Sequence, residues 1–118
     1  MAEANQFDEI PSTPHAMVFL TVQWSSYERV ARADFRNAVA RLRALGIVLR
    51  SFEVNEDLDD TQSWLSSLAL PSPLGQGIPI GAGSVLWLEA GRVVDVVVSG
   101  MQEREVGLIQ RTRMRWEH

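Results

Sequence analysis

The chain contains no cysteine and no lysine. Without a thiol there can be no disulfide, no thiolate zinc site, no iron–sulfur ligation and no cysteine nucleophile. The absence leaves the cellular compartment open, because a thiol-free chain suits any redox setting. All 11 basic residues are arginine, which reads as a compositional bias, since either cation serves on a surface. Histidine occurs only as His15 and His118. Two distant imidazoles without thiolates do not make a zinc site. Long apolar runs are also missing. The longest, Ala16 to Val22, includes Thr21 and falls far short of the roughly 20 residues a membrane helix needs. The net charge of -4 supplies no basic footprint for nucleic acid. The N-terminal MAEANQFDEI lacks the basic and apolar regions of a signal peptide, so the expectation is a cytoplasmic protein with no membrane partner.

What is present suits one globular domain. A chain of 118 residues with 46% hydrophobic residues can bury a core without staples. Residues 1–13, with Pro11 and Ser12, read as an irregular arm, and 14–118 as a single domain. Met17 to Trp24 is a near-continuous apolar run, the pattern of a strand buried on both faces. Ser25 and Glu28 form a capping box that opens a helix over about Ser26 to Leu45. Ala31, Phe35, Ala38, Leu42 and Leu45 make its apolar stripe, and Gly46 its C-terminal stop. Ile47 to Val54 is a second strand, which completes a βαβ unit. Asp60 or Thr61 can cap a short helix running to Leu70, with Trp64, Leu65 and Leu68 inward. The stretch PSPLGQGIPIGAG must be a loop. Ser84 to Glu89 and Arg92 to Ser99 form a hairpin around Ala90-Gly91. A last helix covers Gln102 to Trp116, with Val106, Ile109 and Trp116 inward. The expected fold is α/β, ordered β-α-β-α-β-β-α. It has a four-stranded mixed sheet, helices on both faces and the hairpin on the far side of the first strand.

That order resembles the minimal thioredoxin-like fold, and local motifs extend the resemblance. The run VFLTVQWSSYE is similar to the family's strand that ends in Trp and leads into the active-site helix. Gly77-Ile78-Pro79 is similar to its Gly-Ile-Pro, and SVLWLEAGRVVDVVVSG resembles its hairpin. The departures bear on function. The family places CxxC directly after the Trp, whereas Trp24 is followed here by Ser25-Ser26-Tyr27-Glu28. Phe19 aligns with the family's buried acid. Its cis-proline position falls on Gly83 by counting back from the hairpin, or on Pro79 if four residues are inserted. Thiol–disulfide exchange needs an attacking thiolate and a leaving thiol. This chain has neither.

The resemblance therefore implies a redox-inactive protein that binds a peptide or client, chaperone-like or assembly-factor-like. Hydrogenase-maturation proteins without CxxC are a class of that kind. The implied groove comprises Trp24, Ser25, Ser26, Tyr27, Glu28, Pro79, Gly83 and Ser84. An alternative is a glutathione- or anion-binding enzyme that uses the helix N-terminus at Ser25 and borrows its thiol from the substrate. A third is a structural domain that dimerises through the valine-rich strand Arg92–Ser99, with Asp95 as the charge that blunts it. No catalytic residue stands out, because no base is spaced to activate Ser25. The acidic Glu53–Asp60 stretch lacks calcium-loop spacing, and the glycine loop lacks the phosphate-cradle signature, so no metal or cofactor is expected.

Overall fold

A computed structural model describes residues 6–21, 26–55, 58–68, 83–97 and 100–117. The elements are α1 (Gln6–Glu9, continued by a 3-10 turn Ile10–Ser12), β1 (Ala16–Thr21), α2 (Ser26–Ala44) and β2 (Arg50–Asn55). They continue with α3 (Asp59–Ser67), β3 (Val85–Glu89), β4 (Arg92–Val97) and α4 (Gly100–Trp116). The sheet order is β2-β1-β3-β4. β1 pairs parallel with β2 and antiparallel with β3, and β3 pairs antiparallel with β4. The four-stranded mixed sheet and the far-side hairpin agree with the sequence reading.

Strand alternation divides the core in two. Met17, Phe19, Val85 and Trp87 point to one face, where Phe35, Leu42, Leu108 and Trp116 of α2 and α4 cover them. Ala16, Val18, Leu20, Leu86 and Leu88 point to the other, where they meet Ile10 and the Trp64, Leu65 and Leu68 side of α3. β1 is buried on both faces, which is why its sequence is continuously apolar. On the α4 side the Trp87 indole donates to the Thr112 hydroxyl (2.8 Å), which donates in turn to the Leu108 carbonyl (2.8 Å). A buried polar pair of this kind is tolerated because each atom is partnered.

Several boundaries differ from expectation. Residues 6–12 of the arm are helical, not irregular. Ile10 is fully buried and the Phe7 ring packs at a tilt on Trp64, centroids 5.2 Å apart, so apolar contacts with the α3 side hold the segment down. α2 stops at Ala44, and Leu45 is 54% exposed instead of completing the buried stripe. Gly46, at φ +86°, turns the chain out. Its amide donates to the Arg43 carbonyl and that of Ile47 to Leu42, which is a Schellman stop. β2 begins at Arg50, not Ile47, because its partner β1 begins at Ala16, opposite Arg50. α3 starts at Asp59, so neither Asp60 nor Thr61 caps it, and it ends at Ser67 rather than Leu70. Asp59 and Asp60 lie inside its first turn, where the helix dipole favours them. In α4 the backbone breaks at Arg104 (φ 59°, ψ -176°), and this resets the helical phase. Leu108, Thr112 and Trp116 take the inward row, whereas Val106 is 61% exposed. The expected strand residues 22–24 and 98–99 lie outside the described residues.

Candidate functional site

The expected groove lies where β1 ends and α2 begins. Ser26, Tyr27 and Glu28 form the first turn of α2. Trp24, Ser25 and Pro79 lie outside the described residues, and the Ser25–Glu28 capping box with them. Gly83 and Ser84 are described, and both are buried. The Leu20 amide donates to the Ser84 carbonyl at 2.9 Å, so this segment extends the β1–β3 ladder toward the end of β1. Gly83 has φ +70°, and a Cβ built on it would stand 2.8 Å from the Ala31 Cβ and 3.5 Å from the Phe19 ring. Only glycine lets the backbone come that close to α2 in that conformation. The residues before β3 and the first turns of α2 thus meet over the end of β1, with Gly83 and Ser84 in the floor rather than the rim.

Phe19 is fully buried and packs on Phe35 with ring centroids 5.3 Å apart. An aromatic ring there has no proton to relay. His15 stacks on Trp116 at 4.5 Å, almost parallel at 9°. It precedes β1, whereas α2 starts beyond the other end of that strand. Six residues of strand separate the two ends by about 20 Å, too far for His15 to act as a base there. Among the described residues, no group of three or more metal-ligating side chains clusters. Among the same residues, no helix is long and apolar enough to cross a membrane.

Trp64 and Trp87, expected in the core, are both found there. Trp87 is fully buried, and Trp64 packs against the second core cluster. Trp116 is buried, and its indole donates to Glu89 at 2.8 Å.

One constellation escaped the sequence reading. Arg111 on α4 donates to both Asp95 oxygens on β4 (3.2 Å each) and to Glu103 at 3.0 Å. Burial works against its charge, but its hydrogen bonds to the Glu103 and Asp95 carboxylates, with their negative charges, prevail and raise its pKa above the ordinary arginine value. These three side chains, with Glu89, Gly107 and Arg115, line a surface cavity of about 620 Å³ between α4 and the hairpin. The available signal was Gly107, an unexplained glycine midway between Glu103 and Arg111 in a helix.

No protein-family model matches the chain, and no curated protein matches it.

Proposed function

We propose that the protein is a redox-inactive thioredoxin-like module that binds an extended peptide or client protein, in the manner of a chaperone or assembly factor. In this reading Trp24, Ser25, Ser26, Tyr27, Glu28 and Pro79 belong to the groove's rim, and Gly83 and Ser84 to its floor. The observation that carries this reading is the approach of Gly83 to Ala31 over the end of β1. It draws the segment before β3 and the start of α2 together, as a two-sided groove requires. The sheet order β2-β1-β3-β4, with α2 and α4 on one face and α3 on the other, supports the same reading. The absence of cysteine, which leaves the chain no thiol exchange of its own, supports a holding function over a redox one.

The test is an amide-shift titration with reduced, carboxymethylated lactalbumin, a permanently unfolded client. Saturable shifts at Ser26, Gly83 and Ser84 are expected. Saturable binding whose shifts avoid all three residues would refute the groove, and absence of binding would refute the holding function. Glutathione should leave the same amides unmoved; a shift confined to the start of α2 would favour the enzyme reading instead.

A further inference from the structure

Among the described residues β4 is an edge strand of the sheet, and it is rich in β-branched residues. Val93, Val94, Val96, Val97 and Val98 surround Asp95, the only charge between Arg92 and Ser99. A strand of this composition with an open edge pairs readily with another copy of itself. Which of its backbone groups face outward follows from the ladder. The Leu20 amide donates to the Ser84 carbonyl, so Ser84, Leu86 and Leu88 turn their backbone groups toward β1. Val85, Trp87 and Glu89 therefore turn theirs toward β4, where they face Val97, Asp95 and Arg92. Val96, opposite Leu86, is left with its amide pointing away from the sheet.

That outward amide is already occupied. The Val96 N–H donates to Asp95 Oδ1 at 2.9 Å. One residue earlier the ladder is irregular. Trp87 faces Asp95 and Leu88 faces Val93, so Val94 is an unpaired bulge residue. The Asp95 carboxylate is held in place by Arg111, and Arg111 by Glu103. Glu103 lies just before the break at Arg104, and Arg111 lies in the helix after it. The Glu103 side chain meets Arg111 by lying across Gly107, where a Cβ would stand 2.5 Å from its Oε2 and 3.0 Å from its Cβ. A mid-helix glycine costs about 1 kcal/mol relative to alanine. Here that cost secures the path of Glu103.

We propose that Asp95 is a gatekeeper that closes the outer edge of β4 against pairing with β4 of a second copy, with Glu103, Gly107 and Arg111 as the residues that position it. The partner excluded is this same chain. Antiparallel pairing of one edge with its own copy closes on a two-fold axis and needs no second surface. By contrast, the opposite edge, β2, carries its own charges in Arg50 and Glu53.

Sedimentation velocity over about a hundredfold range of protein concentration tests this, because a self-paired edge depends on concentration. The wild-type chain should sediment as a monomer, with its Val96 amide protected from hydrogen exchange by Asp95. Asp95→Val should move to dimer mass as concentration rises. Its Val96 amide should exchange rapidly when dilute and regain protection in the dimer. Gly107→Ala keeps every charge but displaces Glu103, and should dimerise at higher concentration than Asp95→Val. A folded Asp95→Val chain that stays monomeric throughout would overturn the proposal. So would a wild-type dimer paired through β4. If Asp95→Val does not fold, monomeric behaviour of both Gly107→Ala and Arg111→Met overturns it equally.

Discussion

Replacing Thr61 with valine should stabilise this protein. Thr61 sits in the first turn of α3 with no exposed surface, and among the described residues its hydroxyl has no hydrogen-bond partner. A buried, unsatisfied hydroxyl costs about 1–3 kcal/mol relative to leaving it in water. Valine has nearly the same shape, the same branching at Cβ and a similar helix propensity, so the exchange removes the polar atom and changes little else. For a chain of this length the unfolding entropy near the midpoint is about 250 cal/mol/K, so each kcal/mol moves Tm by about 4 °C. The expected rise is therefore about 4–12 °C. Circular dichroism during heating gives Tm, and urea unfolding should show a higher midpoint at an unchanged slope. Thr61→Ser keeps the hydroxyl and removes the methyl, so it should fall below wild type. A Thr61→Val chain with unchanged or lowered Tm would refute the reasoning, because it would mean the hydroxyl has a partner in solution.

Two other substitutions test the backbone. Gly83→Ala forces a side chain into the left-handed region and against Ala31, and should cost about 2–4 kcal/mol in urea unfolding. At Arg104 the usual helix ranking should reverse. Arg104→Gly and Arg104→Ala both lose the 2.6 Å pair with Asp34, but only glycine fits φ 59°, ψ -176°. The glycine variant should be more stable than the alanine variant by about 1 kcal/mol or more, and equal stability would show that the kink does not persist in solution.

Much of the architecture was legible because it rests on local periodicity. The continuous run of β1 needs two covered faces, the stripe of α2 needs one, and Ala90-Gly91 suits a tight hairpin in which both residues have positive φ. The misplacements occur where a neighbour, not the local pattern, sets the boundary. Leu45 and Ile47 looked like the end of a helix and the start of a strand, but β2 can begin only where β1 offers a partner. Val106 fits an inward face until Arg104 shifts the phase of α4. The arm looked irregular from Pro11, yet Ile10 and Phe7 find a core surface that only the folded sheet and α3 provide.

The sequence by itself determined what chemistry this protein lacks. A chain without cysteine cannot exchange disulfides, whatever its fold, because the reacting atom is absent. It also determined the order of elements from β1 onward, since apolar periodicity is written locally. Only the tertiary structure decided which residues meet. Gly83 reaches Ala31 and Arg111 reaches Asp95 across separate elements, and long-range packing sets those distances, not spacing along the chain. The valines of β4 look alike as letters. Their register against β3 is what turns the Val96 amide outward and places the Asp95 carboxylate over it.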